Sequence, residues 1–157
     1  MQTLLMPLLE RAEATASLQG RPWRGPDLWP QWIDQPSQDG TIAEIVANLL
    51  ENAFRYSPAG CSVGLCLLPD GLCVWDNGPP IPLEERDLIF ERGARGSTGQ
   101  DRAGTGLGLA LARSLAEQQG RKLTLCVEPS TIAPDLPAQG NAFVLSWPAG
   151  ARPDPTT

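Results

Sequence analysis

The chain of 157 residues contains no histidine, and that absence sets the first limit on its chemistry. It has no imidazole to act as base, nucleophile or phosphoacceptor, so a reaction that needs one must take it from another segment or another protein. Cys61, Cys66, Cys73 and Cys126 show no C-x-x-C spacing and have no histidines to complete a zinc site. Basic residues are outnumbered, 12 Lys and Arg against 18 Asp and Glu, which argues against a nucleic-acid surface, because that needs a basic stripe. No apolar run reaches the roughly 18 residues of a membrane span. Met1 to Glu10 lacks the basic start and cleavage site of a signal peptide. What remains is a single domain of ordinary composition, 41% hydrophobic and 19% charged. Three of the cysteines fall in predicted strands and read as small buried apolar residues in a reducing cytosol.

The stretch around which the rest is arranged is 101–120, DRAGTGLGLALARSLAEQQG. Gly104, Gly106 and Gly108 let backbone N–H groups approach an anion closely, and a helix-forming run from Leu109 to Gln119 follows directly. A helix N-terminus adds the positive end of its dipole, so the arrangement suits phosphate. By itself such a run also fits a flexible hinge. In the following helix Leu109, Leu111, Ala112, Leu115 and Ala116 make one apolar face, and Gly120 stops it.

Residues 41–56, TIAEIVANLLENAFRY, predict the clearest helix. At 100° per residue Ile42, Ile45, Val46, Leu49, Leu50 and Ala53 share one arc, with Thr41, Glu44, Asn48, Glu51, Asn52, Arg55 and Tyr56 opposite. Two asparagines in mid-helix each carry a propensity cost of several tenths of a kcal/mol. Their i, i+4 spacing aims both amides at one place, where neutral oxygens can serve a hard cation already charge-compensated by phosphates.

Upstream, residues 3–18 predict a short helix with Leu4, Leu5, Leu8, Leu9 and Ala12 on one stripe, which must bury on its own domain or on the rest of a longer one. Residues 20–38 read as a connector with one edge strand, in which Trp23, Trp29 and Trp32 are packing anchors. Downstream, 61–67 and 72–75 predict a hairpin about the turn Pro69-Asp70-Gly71. Asp76 ends its second strand before a Gly and Pro loop, where the carboxylate can cap the turn or accept from an exocyclic amine. Leu83 to Glu91 predicts a short helix, and 92–104 a mobile lid in which Arg92, Arg95 and Arg102 could neutralise phosphate. Lys122–Val127 and Ala142–Trp147 are the closing strands, and the tail from 149 frays.

Asn48-Leu-Leu-Glu-Asn52-Ala, Asp76-Asn-Gly78, Ile89-Phe90-Glu-Arg92 and Gly104-Thr-Gly-Leu-Gly-Leu109 together resemble, in order, the N, G1, F and G2 boxes. These boxes mark the catalytic and ATP-binding domain of two-component sensor histidine kinases, within the gyrase, Hsp90, histidine kinase and MutL superfamily. The resemblance covers roughly residues 39–147. It implies an α/β two-layer sandwich of the Bergerat type, a mixed sheet of about five strands against three helices. It implies Mg²⁺ and ATP as cofactors, with Asn52 as the Mg²⁺ ligand and Asn48 its polar neighbour. Arg55 would reach phosphate and Tyr56 would lie beside the adenine. Asp76 would read the adenine amine, with Gly78 and Ile81 around the base. Arg95, Gly104, Thr105, Gly106, Leu107 and Gly108 would hold phosphates, and Phe90 would anchor the start of the lid.

In members that hydrolyse ATP, and in anti-sigma-factor serine kinases, the position of Asn48 is typically Glu, which can deprotonate a water or a serine. An amide cannot, so the resemblance implies a device that positions phosphate for a histidine on a separate dimerisation domain. Residues 1–19 are expected to end that domain's helix, 20–38 to connect, 39–148 to form the catalytic domain and 149–157 to be a disordered tail. The partners implied are the dimerisation domain and a response-regulator receiver domain. Neither nucleic acid nor membrane contact by this domain is expected; the domain would be cytoplasmic and the parent kinase homodimeric, whether or not that parent is anchored in a membrane. Pro80 stands where the G1 box usually has a second glycine, and Gly93 and Ala94 replace aromatics after the F box. Those departures support an alternative, a nucleotide-sensing or degenerate scaffold module without kinase activity.

Overall fold

A computed structural model of the chain describes residues 2–27, 29–30, 40–91 and 108–146. Its elements, in order, are α1 (Gln2–Gln19), β1 (Trp23–Arg24), α2 (Thr41–Tyr56), β2 (Val63–Leu68), β3 (Gly71–Asp76), two 3₁₀ turns (Leu83–Glu85 and Leu88–Phe90), α3 (Gly108–Gln118), β4 (Lys122–Cys126), a 3₁₀ turn (Pro129–Thr131) and β5 (Asn141–Ser146). The strands form one mixed sheet in the order β1-β2-β3-β5-β4, parallel only between β1 and β2. This is the expected sandwich of three helices on five strands.

Side chains alternate across the strands, so each strand feeds two layers. Val63, Leu65 and Leu67 of β2, Leu72 and Val74 of β3, and Phe143 and Leu145 of β5 join the helices in the main core. The six α2 residues buried there are Ile42, Ile45, Val46, Leu49, Leu50 and Ala53, the same six that the 100° periodicity selects. Fully burying a side chain such as Leu49 contributes roughly 1.5–3 kcal/mol, and Leu5, Ile45, Leu49, Leu65, Leu72 and Leu145 are all essentially inaccessible. Cys73, Trp75 and Ala142 point to the opposite face, where Leu136, Ile132 and Ala133 from the segment between β4 and β5 cover them.

Residues 1–19, expected to end a preceding helix, form α1 and bury Leu5, Leu9 and Ala12 in the same core as α2. The stripe is rotated from the expected one, because Leu4 is exposed and Ala16 is buried. Other expectations need correction. Leu83 to Glu91 is two 3₁₀ turns rather than a helix; Leu83 and Leu88 face solvent and only Ile89 and Phe90 are buried, so the segment has no continuous helical face on the core. Trp29 is exposed, not an anchor, whereas Trp23 packs on the core; Trp32 lies outside the described residues. Leu111 is exposed on α3, whose inner face is Leu109, Ala112 and Ala116. Of the strand cysteines only Cys73 is fully buried; Cys66 and Cys126 are half-exposed.

Candidate functional site

Helix α2 ends where Ser57 turns to an extended conformation, φ −75° and ψ 143°, as a residue before proline prefers. The carbonyls just past its last turn are taken by a side chain that the sequence pattern did not single out. Arg21, just past α1, donates from Nη1 to Ser57 Oγ at 2.8 Å and from Nη2 to the Ser57 carbonyl at 3.2 Å and to the Pro58 carbonyl. Ser57 Oγ in turn donates to the Ala53 carbonyl at 2.5 Å. The guanidinium is buried and lies 5.9 Å from the Phe54 ring centroid. A cation at the C-terminal end of a helix is favoured by the dipole, and a planar fork can serve several carbonyls at once.

This clasp sets the position of Pro58, which meets the loop after β3. A Cβ on Gly78 would stand 3.0 Å from both Pro58 Cδ and Asp76 Oδ1, so the loop runs close against the end of α2 only because that residue has no side chain. Asp76 is buried at the end of β3. Its Oδ1 accepts from Gly78 N–H at 2.8 Å and from Asn141 Nδ2 at 3.3 Å, and Oδ2 accepts from no described residue. Burial pushes the Asp76 pKa above the ordinary 3.8, while the Gly78 and Asn141 donors and the Arg21 charge pull the other way. The two oxygens of this carboxylate thus differ: Oδ1 caps the loop and Oδ2 has no donor among the described residues.

Asn141 is the second residue that the sequence reading missed. Its Nδ2 also donates to the Pro79 carbonyl at 2.9 Å, and its Oδ1 accepts from Ile81 N–H at 2.8 Å. One amide on β5 therefore holds both sides of Pro80, and the donor lost at that proline leaves the loop tied nonetheless. Asn77 locks the other flank, accepting from Ser62 N–H at 2.8 Å.

On α2, Asn48 and Asn52 are half-exposed, and neither side chain has a hydrogen-bond partner among the described residues. Two unengaged neutral amides one turn apart fit a hard cation whose charge is balanced by phosphate. Tyr56 follows one turn later and is half-exposed. Arg55 stands at the border of this face: it pairs with Glu51 at 3.1 Å and lines a groove of about 450 Å³ between α1 and α2. Phe90 is buried edge-on against Phe143, ring centroids 6.0 Å apart, with Arg113 of α3 at 4.9 Å over its ring. The 3₁₀ turn Leu88–Phe90 is fixed there between sheet and helix. Gly108 opens α3. Arg95, Gly104, Thr105, Gly106 and Leu107, with Arg92 and Arg102, lie outside the described residues.

A family model, the histidine kinase-, DNA gyrase B- and HSP90-like ATPase, matches residues 38–151. The chain belongs to that family. Sensor histidine kinase Hik2 of Thermosynechococcus vestitus is 35% identical over 159 residues, covering 96% of this chain and 39% of that protein. Sensor protein KdpD of Escherichia coli is 34% identical, covering 74% and 13%. The chain thus spans less than half the length of these relatives. Among solved structures, the mycobacterial sensor histidine kinase MprB superposes with a TM-score of 0.66 at 26% identity, covering 92% of this chain and 95% of that one. Full-length ShkA in complex with AMPPNP gives 0.71 at 22% identity, covering 94% and 29%, and shares the fold. This is a histidine-kinase-type ATPase domain, and no described helix is long and apolar enough to cross a membrane.

Proposed function

We propose that this domain binds Mg·ATP and donates the γ-phosphoryl to a histidine on a dimerisation domain outside this chain, for relay to a response regulator. The observation that carries the reading is the divided carboxylate of Asp76, one oxygen tied to its loop and the other unengaged. Such an acceptor selects a base with an exocyclic amine, adenine over guanine. Helix α2 presents Asn52 to Mg²⁺, which would supply charge neutralisation at the phosphates, and Asn48 beside it. Tyr56 packs beside the base, Ile81 closes its far edge, and Gly104–Gly108 cradle the phosphates with Arg95. Arg55 reaches phosphate by leaving Glu51.

Asn48 cannot act as a base, and the chain holds no imidazole. Its own residues therefore bind, orient and neutralise, and the nucleophile comes from the acceptor domain. Helix α1, buried with α2, belongs on this reading to the ATP-binding domain rather than to the acceptor. The parent kinase is homodimeric and the domain works in the cytoplasm.

Calorimetric titration with ATP, ADP and GTP, with and without Mg²⁺, tests the reading. Micromolar, adenine-selective binding that Mg²⁺ strengthens, and that loses its Mg²⁺ dependence in Asn52→Ala, is the expected result. Absence of binding at millimolar nucleotide would leave a scaffold without nucleotide chemistry. Phosphorylation of an added acceptor-histidine domain, absent with Asn52→Ala, tests the transfer.

A further inference from the structure

The strand cysteines have no part in the nucleotide site, yet two of them are placed face to face. Cys66 on β2 and Cys73 on β3 are direct partners in the antiparallel register. Residues so paired have Cα atoms about 4.5–5.5 Å apart, inside the ~4.4–6.8 Å that a disulfide spans. They alternate with Leu65, Leu67, Leu72 and Val74 of the main core, so both point to the face of the sheet away from α2 and α3. There they share a small cluster with Trp75 and Leu136. Both thiols are free.

Their surroundings differ in a way that assigns them different parts. Cys73 is inaccessible and Cys66 half-exposed. A hydrogen bond from the Cys73 thiol holds the Cys66 thiol below its ordinary value, helped by the Arg24 guanidinium and opposed by burial, Asp135 and Asp27. The same bond, with burial, pushes the Cys73 thiol far up. Cys66 is thus the sulfur that a solute can reach, and Cys73 the enclosed one beside it. Cys126 shares the cluster but sits on β4 opposite Ala142, with its thiol 3.4 Å from the Glu128 carbonyl.

We propose that Cys66 and Cys73 are a hydroperoxide-reactive pair that closes to a disulfide across the β2–β3 hairpin. The Cys66 thiolate attacks one oxygen of the hydroperoxide: an S–O bond forms, the O–O bond breaks, and the departing alkoxide or hydroxide takes up a proton. The Cys73 sulfur then attacks the Cys66 sulfenic acid, giving up its proton; the S–S bond forms, the S–O bond breaks and water leaves. Two thiols lose two hydrogens, and the hydroperoxide is reduced to an alcohol, or to water, plus one further water.

The test treats the folded chain with excess hydrogen peroxide, alkylates the remaining thiols and maps peptides by mass spectrometry without reduction. The expected product is intramolecular, lighter by two hydrogens, linked Cys66 to Cys73 and reversed by dithiothreitol. Cys66→Ser should abolish it and Cys126→Ser should leave it intact. In Cys73→Ala, Cys66 should stop at a sulfenic acid that dimedone traps. Links to Cys61 or Cys126, a link only between chains, or four unreacted thiols in the wild type would overturn the proposal.

Discussion

Asn141 on β5 donates to Asp76 on β3 at 3.3 Å across 65 positions of sequence, and the same amide receives Ile81 N–H at 2.8 Å. The Asp76 carboxylate and the loop beside it are therefore set by one side chain from the far end of the domain. In Asn141→Ala the Asp76 carboxylate loses a donor and the Pro79–Ile81 loop loses its two bonds to β5, keeping the one from Arg86 Nε to the Ile81 carbonyl. A hydrogen bond to a charged group contributes about 1.5–3 kcal/mol, so ATP affinity should fall roughly 10- to 150-fold. The variant should also lose ATP at a higher pH than the wild type. Removing a donor raises the pKa of Asp76 further, so the carboxylate protonates sooner as pH falls, with Arg21 still facing it in both proteins. Titrations across the acidic range check both effects; an unchanged pH profile would confine Asn141 to a packing role.

Gly140 precedes that amide at φ 156°, and a Cβ there would lie 2.1 Å from the Asp76 carbonyl oxygen. No flexible side chain can yield, because the obstacle is backbone. Gly140→Ala should therefore cost about 3 kcal/mol or more, from overpacking and backbone strain together. Denaturant unfolding measures the loss, and a cost below 1 kcal/mol would mean that β5 can shift without harm.

The chain's main helix was legible because its signal is local. Six apolar residues at helical spacing define one face of α2, and two asparagines at i, i+4 interrupt the other. The hairpin was legible for the same reason, with Leu65 and Leu67 alternating about a Pro-Asp-Gly turn. Asn141 and Arg21 were not, because nothing near them in sequence marks their use: Arg21 meets Ser57 across 36 positions and Asn141 meets Pro79 across 62. Leu83 to Glu91 misled because its acidic first turn suits a helix, whereas burial of Ile89 and Phe90 alone favours two tight turns.

Arg21 makes a separate prediction about stability. Its fork serves the Ser57 hydroxyl and two carbonyls at the end of α2, and in Arg21→Met those acceptors lose their donors in a buried setting. The expected cost is about 2–4 kcal/mol. Arg21→Lys should recover little of it, since an ammonium cannot match a planar fork. Thermal unfolding of the two variants decides; full rescue by lysine would reduce the clasp to simple charge.

Asp76→Asn should separate stability from nucleotide selection. Burial raises the pKa of Asp76 above 3.8, so in the window just above that value the folded chain holds a proton that the unfolded chain has lost. Stability from this group is full below 3.8 and declines as pH climbs through the raised value. Asparagine carries no such penalty, so the variant should be more stable at neutral pH, on the order of 1 kcal/mol, and the gain should vanish in acid. The amide can keep its oxygen toward Gly78 N–H and Asn141 Nδ2, which turns its NH₂ to the place of Oδ2. A donor there repels the adenine amine and suits the guanine carbonyl. ATP affinity should drop at least about tenfold and the ATP-to-GTP preference should collapse or reverse. A variant that unfolds at the wild-type temperature across the whole pH range would remove the burial penalty, and one that still prefers ATP would remove Asp76 from the base-reading role.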